Sequence, residues 1–390
     1  MFSSRLPQNV IANALSRRLT ALRASGEAWV DLTESNPTRA ALDYPADLLE
    51  RLGDRRSLAY EPQPFGLPAA REAVARDYSR RGARIDPAHI VLTASTSEAY
   101  AWLFKLLCNA GESVLVPRPS YPLFEHLTRL ETVEAVPYDL EYHGRWQIHV
   151  DSVAARATPA TKAVLLVSPN NPTGSYVTRR ELEPLSAFCG ERGIALIVDE
   201  VFADYALDAP ADAVTDIAAD SRSLAFTLGG LSKTVGLPQL KLGWIVVGGE
   251  EPLRAEALRA LELIADSYLS VSTPVQIAAA DLLVRGSAIR DGILHRIRSN
   301  LTALRGIVAR FDAVTVLTCE GGWYAVIRVP STRSEEELVL ELLERERVLV
   351  HPGYFFDFPH EAYVIVSLLP RPDVFADAAA RMLQFATTAV

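Results

Sequence analysis

Lys233 is the residue whose surroundings most directly raise a question of chemistry. It lies in the stretch GGLSKTVGLPQLKLGW (229–244), where small residues flank it and Lys241 follows eight positions later. Most lysines are solvated surface charges, whereas a lysine that follows a strand and is held inside a site can act as a nucleophile. Small neighbours would let the chain turn sharply after the strand, so that Lys233 points into such a site.

A carboxylate and an amide also follow predicted strands. Asp199 and Glu200 end the apolar run IALIV, and a carboxylate at such a position usually holds a cation or a protonated nitrogen, because an unpaired buried charge is costly. Asn171 lies in SPNNPTG (168–174), after the strand-like KAVLLV. The same asparagine, proline and glycine residues are also common in an ordinary turn, so this segment by itself leaves both interpretations open.

Three hydroxyl residues stand between a predicted strand and a predicted helix. Ser95, Thr96 and Ser97 follow HIVLTA and begin a helical pattern, so free backbone N–H groups, the helix dipole and the hydroxyls can bind phosphate there. Simple capping is the alternative, because Ser95 and Glu98 have the spacing of a capping box. The phosphate site and the cap both remain open at this point.

The elements between these residues bring them to one place. From about residue 66 the chain alternates strand-like and helical segments, including helices predicted over 68–81 and over 95–111 with Gly111 at the end of the second. This alternation is typical of an α/β domain with a mostly parallel sheet, whose ligands bind beyond the carboxyl ends of the strands. The serines, Asn171, Asp199 and Lys233 would therefore share one site.

That set of groups fits pyridoxal phosphate. Its phosphate requires a site such as a helix N-terminus, its ring nitrogen requires a carboxylate that keeps it protonated, and its aldehyde requires a lysine with which to form a Schiff base. The protonated ring then stabilises negative charge at the α-carbon of the substrate.

The rest of the chain predicts a second, smaller unit. Long helices are predicted over 251–267 and 274–311, and after them short strands and a final helix from 372 suggest an α+β domain. We therefore assign 46–285 to a large cofactor-binding domain, and residues 1–45 together with 286–390 to the small domain.

Composition excludes several classes of protein. The net charge of −9 argues against a nucleic-acid surface, and no apolar run is long enough to span a membrane. Three cysteines without metal-ligand spacing suit a reducing compartment, so we expect a cytoplasmic protein without a metal site. The N-terminal MFSSRLPQNVIANALSRRL is predicted as an ordered helix, although a mitochondrial transit peptide is an alternative, since no acidic residue precedes Glu27.

The chain resembles the fold-type-I, class I/II pyridoxal-phosphate aminotransferases related to aspartate aminotransferase. The similarity runs from ESNPT (34–38) to VIVSLL (364–369), and SPNNPTG, DEVF and SKTVGLPQLKLGW occur in the family's order. Asn171 precedes Asp199 by 28 residues, and Asp199 precedes Lys233 by 34. The resemblance implies the aspartate-aminotransferase-like fold and the cofactor pyridoxal phosphate.

The resemblance also assigns the residues that would hold the cofactor. Lys233 would form the Schiff base and later move the proton of the substrate, Asp199 would pair with the ring nitrogen, and Tyr121 of PSYPLFE would stack on the ring. Asn171 would bind the ring oxygen and lie near the substrate carboxylate.

Further residues of the resemblance concern the phosphate. Ser95, Thr96 and Ser97 match the phosphate-binding turn, which Ser232 or the backbone near Gly230 would complete. Tyr60 of YEPQPFG matches a tyrosine that reaches the phosphate of the partner subunit, which implies a homodimer with shared sites.

Two cofactor-binding positions depart from the family pattern. The tyrosine that commonly follows the ring aspartate by three residues is Phe202, so the Schiff base should lose its proton at a higher pH than in relatives with tyrosine. The phosphate-binding arginine eight residues after the lysine is Lys241, which keeps the charge but replaces a planar fork by a point charge.

The third departure concerns the substrate. The arginine that clamps the α-carboxylate in the family aligns with Ile365. Arg371 or Arg39, beside ESNPT, could replace it, or each could be an ordinary solvated arginine; Asn171 and backbone groups could also bind the carboxylate. Ser35 in the same loop is a further candidate for substrate contact.

Aromatic residues of the C-terminal part could form the substrate side-chain pocket. Tyr354 lies in HPGYFFDF and Trp323 in GGWY, near where relatives contact the substrate, which would favour apolar or aromatic amino acids. Core packing is the alternative explanation for both residues.

The resemblance predicts an aminotransferase that moves an α-amino group from an amino acid to a 2-oxo acid. The alternative is a carbon–sulfur β-lyase or another elimination on the same cofactor, since both reactions begin with proton abstraction by Lys233. A transcription regulator with an aminotransferase-like sensor would need an N-terminal DNA-binding domain. The roughly 30 residues before Asp31 are too few for one, so this class is disfavoured. A nicotinamide-dependent enzyme is disfavoured because no Gly-x-Gly-x-x-Gly follows a predicted strand.

Overall fold

The central element of the computed structural model, which describes residues 2–7 and 13–388, is an eight-stranded sheet. The strands of the described chain are β1 (Val30–Asp31), β2 (Ile90–Thr93), β3 (Ser113–Arg118), β4 (Glu134–Tyr142), β5 (Trp146–Ile148), β6 (Thr161–Val167), β7 (Ala195–Asp199), β8 (Ala225–Gly230), β9 (Gly243–Gly248), β10 (Thr315–Val316), β11 (Tyr324–Arg328), β12 (Val348–Leu349), β13 (His351–Pro352) and β14 (Tyr363–Ser367).

The helices alternate with these strands in the first two thirds of the chain. They are α1 (Ala14–Ser25), α2 (Pro68–Arg80), α3 (Thr96–Leu107), α4 (Phe124–Leu130), α5 (Val150–Arg156), α6 (Arg179–Arg192), α7 (Ile217–Asp220), α8 (Leu231–Thr234), α9 (Glu251–Tyr268), α10 (Thr273–Arg285), α11 (Ser287–Val308), α12 (Glu335–Arg345) and α13 (Pro372–Thr387).

The large sheet is mostly parallel, as the sequence predicts. Its order is β2-β9-β8-β7-β6-β3-β4-β5, and only β9 and β5 run against the common direction. Helices cover both faces: Leu165 and Ile197 pack with residues of α3 and α9, whereas Val164 and Leu196 pack with residues of α6 and α10. Burial on both faces explains why these strands are almost uninterrupted apolar runs. The carboxyl ends of β2, β6, β7 and β8 consequently meet at one edge.

A smaller sheet, in the order β10-β11-β14-β13, is built from the C-terminal third. The N-terminal segment packs against this part of the chain, as predicted. β1 pairs in parallel with β12, Leu22 of α1 packs on Leu343 and Leu349, and the Ser367 N–H donates to the carbonyl of Leu32. The domain boundaries given above remain a prediction.

Several predicted element ends are wrong, and each has a local cause. The helix predicted over 274–311 is two helices, α10 and α11, which are divided at Gly286, where an added Cβ would lie 2.6 Å from Cβ of Val235. α3 ends at Leu107, because Cys108 is extended, so Gly111 caps no helix. At the N-terminus the described part of the predicted helix begins at Ala14; residues 8–12 lie outside the described residues.

Two kinds of feature are absent from the residues that the structure describes. No helix in residues 2–7 or 13–388 combines the length and the apolar character that crossing a membrane requires. Among the same residues, no group of three or more histidine, cysteine, aspartate or glutamate side chains is placed to hold a metal ion.

The glycines before Lys233 serve close packing rather than a turn, which corrects the expectation from sequence. Gly229 and Gly230 belong to the extended strand β8, and neither has a left-handed backbone. A Cβ on Gly229 would lie 2.4 Å from Nε1 of Trp244, and one on Gly230 would lie 3.1 Å from the carbonyl oxygen of Leu242. The glycines therefore let the neighbouring strand β9 approach the end of β8 from which Lys233 follows.

Gly229→Ala should lower the free energy of unfolding by about 1–3 kcal/mol, because the added methyl group overlaps the Trp244 indole and forces it to shift. The matched control is Gly306→Ala in α11, where a Cβ meets no atom within 4 Å. Alanine there should raise helix stability by about 0.5–1 kcal/mol. Urea denaturation of both variants checks the prediction, and equal stabilities would contradict it.

Candidate active site

One cavity at the carboxyl edge of the large sheet gathers most of the residues that the sequence singles out. It has a volume of about 160 Å³. Its lining residues come from the ends of four strands, from the N-terminal loop and from the small sheet: Ser35, Ser95, Thr96, Ser97, Tyr121, Phe124, Val167, Asn171, Asp199, Val201, Phe202, Gly230, Ser232, Lys233, Leu242, Gly243 and Tyr324.

Lys233 enters the cavity from α8, a single helical turn directly after β8. Its pKa is lowered to about 8, mainly because burial disfavours the charged amine, while the negative charge of Asp199 partly opposes this shift. Nζ lies 4.7 Å from the ring centre of Trp323 and 5.6 Å from that of Phe202. A lysine with this pKa is partly neutral near pH 7.5 and can act as a nucleophile or as a base.

Aromatic rings form the surface beneath Lys233. Trp323 makes edge contacts with Phe202 and Tyr205, with ring centres 5.2 and 5.1 Å apart, and the Tyr205 hydroxyl donates to the backbone carbonyl of Lys233. Tyr205 and Trp323 are fully buried. The tyrosine bond therefore fixes the turn that carries the lysine, and the rings exclude water from one side of its amine.

Asp199 ends β7 and is held by two donors. The Tyr100 hydroxyl donates to its Oδ2 at 2.9 Å, and the Val201 N–H donates to its Oδ1 at 3.1 Å. Burial raises the pKa of the Asp199 carboxyl, whereas these two hydrogen bonds and the nearby Lys233 amine act in the opposite direction. The carboxylate is thus oriented and can accept a further hydrogen bond from a group in the cavity.

Tyr100 is a site residue that the sequence reasoning missed. It is fully buried and its hydroxyl reaches a residue 99 positions away along the chain. One signal was available, since Tyr100 follows Thr96 by four residues and so lies on the same face of α3 as the residue at the helix start. The pairing with Asp199 itself has no local signature.

The neighbour of Asp199 serves a different place. Glu200 does not line the cavity; it is buried on the other side of the strand, where its Oε2 lies 3.7 Å from Nη1 of Arg81. Burial raises the pKa of Glu200 to about 7, and Arg81 partly opposes this. Successive residues at a strand end point in opposite directions, which separates the two carboxylates.

The two asparagines of SPNNPTG are separated in the same way. Asn170 is buried and satisfied: its side chain accepts from the Ser120 hydroxyl at 2.8 Å and donates to the hydroxyl of Thr173 at 2.8 Å. Asn171 lines the cavity, and its side-chain oxygen is buried without a hydrogen-bond partner. An unpaired buried amide atom is costly, so Asn171 is suited to a polar group in the cavity.

The start of α3 keeps both functions that the sequence left open. Ser95 caps the helix, because its Oγ accepts from the Glu98 N–H at 3.2 Å, while Glu98 itself accepts from the Ala94 N–H at 2.6 Å. Ser95, Thr96 and Ser97 nevertheless line the cavity at the N-terminus of a 12-residue helix. Gly243 approaches this turn so closely that a Cβ would lie 3.0 Å from the Ser95 carbonyl carbon. The cap and an anion site are compatible here.

Some predicted residues do not line this cavity: Lys241, Tyr60, Arg39 and Tyr354, and also Arg371, which is described below. Lys241 is exposed, with a left-handed backbone at φ 52°, and Tyr60 is 76% exposed beside a separate surface pocket. Arg39 is exposed in the N-terminal loop, and Tyr354 is 42% exposed in a turn that Glu335 holds. None of these four side chains therefore contacts the cavity of its own chain.

Arg371 lies outside the cavity because it has another partner. It is exposed at the start of α13, where its guanidinium donates to both carboxylate oxygens of Asp373 at 3.2 and 2.9 Å. The neighbouring predicted position, Ile365, is fully buried in β14. Neither therefore presents a positive charge to the cavity.

Tyr100→Phe should cost about 1.5–3 kcal/mol of unfolding free energy at pH 7.5, because it removes a donor to a charged carboxylate. Tyr138→Phe is the matched control: this buried hydroxyl donates to the neutral carbonyl of Leu165, so the cost should be about 0.5–1.5 kcal/mol.

The pH dependence of the two losses distinguishes them. Without the Tyr100 hydroxyl the already raised pKa of Asp199 rises further, and a carboxyl with a raised folded-state pKa destabilises the fold increasingly as the pH rises through its titration. Urea denaturation at pH 5 and 7.5 should show a larger deficit at pH 7.5 for Tyr100→Phe and an unchanged one for Tyr138→Phe. Equal, pH-independent losses would contradict the role of the bond.

Comparison with known proteins shows the family and the fold of this chain. Residues 27–368 match the family described as aminotransferase class I and II. Glutamate-pyruvate aminotransferase AlaA of Escherichia coli K12 is 26% identical, and the match covers 90% of this chain and 89% of AlaA. Alanine aminotransferase of Mycobacterium tuberculosis is 27% identical, and the match covers 96% of this chain and 89% of that protein.

Solved structures show the same fold at low sequence identity. Alanine aminotransferase from Pyrococcus furiosus superposes with a TM-score of 0.87 over 99% of both chains at 23% identity. Aspartate aminotransferase from Thermotoga maritima gives a TM-score of 0.83 over 99% of this chain and 100% of its own, also at 23% identity. The resemblance and the fold class expected from sequence are therefore confirmed, and the chain belongs to the aminotransferase class I and II family as a transaminase, an enzyme of amino-group transfer.

Proposed function

We propose that this transaminase transfers amino groups by means of pyridoxal phosphate held covalently at Lys233. The observation that carries the proposal is the amine of Lys233, with its pKa lowered to about 8, in one cavity with Asp199 and with the start of α3. When bound, the cofactor supplies an electron sink for negative charge at the substrate carbon. Members of the family exchange amino groups between amino acids and 2-oxo acids.

The donor set fits the parts of this cofactor one by one. Asp199 has an accepting oxygen for a protonated ring nitrogen, and the amide of Asn171, whose oxygen has no partner, suits a polar ring substituent. Ser95, Thr96, Ser97 and Ser232 offer hydroxyls and backbone N–H groups for a phosphate. Tyr121 is 43% exposed, so its ring face is accessible for stacking.

The protein's own residues also provide the proton chemistry. Nζ of Lys233 is close enough to neutrality to accept a proton from the reacting carbon of the substrate and to return it later. The rings of Phe202 and Trp323 limit the access of water to that amine. Asp199 stays oriented by Tyr100 and Val201 throughout.

Elimination, the alternative considered from sequence, is not favoured. The relatives described above carry names of aminotransferases, and the cavity contains the lysine that either reaction would use. We extend the proposal to a homodimer in which exposed Tyr60 reaches the site of the partner, whereas Lys241, which is exposed outside the cavity, is not part of the proposed phosphate site. The described cysteines are all free thiols, which supports a cytoplasmic location.

Covalent attachment tests the proposal directly. Protein incubated with pyridoxal phosphate and reduced with borohydride should carry one cofactor per chain on the peptide that contains Lys233. Lys162→Ala, which removes a half-exposed lysine far from the cavity, should keep the adduct, and Lys233→Ala should lose it. Peptide mass spectrometry is the measurement, and an adduct on another lysine in the unsubstituted protein would overturn the proposal.

The pH dependence of the attached cofactor tests the contribution of Phe202. Phe202→Tyr should lower the pKa of the Schiff base that joins Lys233 to the cofactor by about one unit or more. The new hydroxyl would stabilise a negative oxygen on the cofactor ring and so favour loss of the Schiff-base proton. A hydrogen bond to a charged group is worth roughly 1.5–3 kcal/mol, and one pKa unit corresponds to about 1.4 kcal/mol. Absorbance measured against pH gives the midpoint.

The control for this variant is Phe124→Tyr, which adds a hydroxyl elsewhere in the same cavity wall, beside Tyr121. Its midpoint should stay at the unsubstituted value. If both variants shift the midpoint equally, the effect is a general one of polarity, and the specific role of position 202 is wrong.

A further inference from the structure

The register of the small sheet shows which residues share a face with Tyr324, the residue of this sheet that lines the cavity. Tyr324 of β11 lines the cavity and stands opposite Ser367, while Val326 and His351 both stand opposite Ile365. Directly paired residues of antiparallel strands, and residues two apart on one strand, point to the same face. Ile365 and His351 therefore lie on the same face of this sheet as Tyr324, beside it but not among the residues that line the cavity, and we call the face formed by Tyr324, Ile365 and His351 the wall.

This wall carries no positive charge. Ile365 is apolar and fully buried, and burial lowers the pKa of His351 to about 4, so the imidazole is neutral at physiological pH. Tyr324 and Ser35 both line the cavity. The wall consequently presents a hydroxyl, an imidazole and an aliphatic side chain.

Two carboxylates act electrostatically on residues of this wall. Asp31 and Glu34 both raise the pKa of Tyr324, which burial brings to about 12, and Asp31 also acts on His351. The Glu34 backbone is tied to this sheet, because its carbonyl accepts from the Ser367 hydroxyl at 2.6 Å. Negative charge at this end disfavours a second anion.

Cationic side chains are scarce around the whole cavity. Among the lining residues of the described chain, Lys233 is the only lysine or arginine, and the proposed function commits it to the cofactor. Arg39 and Arg371 are exposed, and Arg371 is engaged with Asp373. A substrate carboxylate placed against this wall would lose its hydration. It would gain no bidentate arginine, the partner that usually offsets the cost of that desolvation.

We propose that one of the two amino-group carriers exchanged at this site bears a neutral substituent, and no free carboxylate, on the carbon that carries the amino group. An amino alcohol is the simplest member of this class, since its hydroxymethyl group can bond to Tyr324, Ser35 or Asn171. The inference rests on the proposed function and names its substrate class.

The exchange balances without a further reactant. The donor carbon gives up its C–N bond and one C–H bond and gains a C=O bond, and the acceptor carbon undergoes the reverse change. Nitrogen, hydrogen and the electron pair pass from the donor to the acceptor, and oxygen passes in the opposite direction through water, so that no additional oxidant or reductant is needed.

Matched pairs of donors test the inference on the cofactor-loaded protein. L-Alaninol with L-alanine, L-leucinol with L-leucine, and L-phenylalaninol with L-phenylalanine differ only in hydroxymethyl against carboxylate. Conversion of the cofactor to its amino form, followed by absorbance in a single turnover, gives a second-order rate constant for each compound. The amino alcohol should exceed its amino acid by at least tenfold in the pair that reacts best.

A charge added to the wall should reverse this preference. Ile365→Arg supplies the missing partner, so the rate constant of the amino acid should rise at least tenfold while that of the amino alcohol does not rise. Ile365→Leu adds no charge and should keep the preference for the amino alcohol.

The outcomes separate the two proposals. Amino acids that react as fast as the alcohols or faster in the unsubstituted protein would overturn the assigned substrate class and leave amino-group transfer intact. That result would indicate a cation from elsewhere, such as a partner subunit. If the loaded protein converts none of the six compounds, the assigned substrate class is overturned, while the borohydride adduct at Lys233 tests separately whether the cofactor is attached there.

Discussion

The structure depends on keeping an amine and a carboxylate away from bulk water in one cavity. Burial lowers the pKa of Lys233 and raises that of Asp199, and each group partly offsets the shift of the other through its charge. Two charges removed from water are expensive to hold, so the surrounding structure must supply compensating contacts. Tyr100 and the Val201 N–H do this for Asp199, and the rings of Trp323 and Phe202 do it for Lys233.

The fold assembles these contacts from distant parts of the chain. The large sheet brings together the ends of β2, β6, β7 and β8, the small sheet supplies Tyr324, and Trp323 directly before β11 packs against Lys233. The N-terminal loop supplies Ser35, and it is fastened by the Ser367 hydroxyl, which bonds to the Glu34 carbonyl. The site is therefore complete only when both sheets and the N-terminal segment are packed together.

Sequence alone could identify the strand ends because the signal is local. Apolar runs buried on both faces are closely followed by Ser95, Asn171, Asp199 or Lys233, and Ser95 caps α3 as its spacing from Glu98 indicates. Long-range contacts have no such signal. The bond from Tyr100 to Asp199, and the packing of Gly229 on Trp244, became visible only when the strands and helices were placed.

The residues expected to contact the substrate could also be predicted only in part from the sequence. The sequence located a departure at Ile365, but the partner of Arg371 and the neutral state of His351 required the structure. A crystal structure of the protein with pyridoxal phosphate tests the central claim most directly. The account predicts continuous density from Nζ of Lys233, the ring nitrogen at Asp199, and the phosphate at residues 95–97. A cofactor bound without that covalent link, or with its phosphate elsewhere, would contradict it.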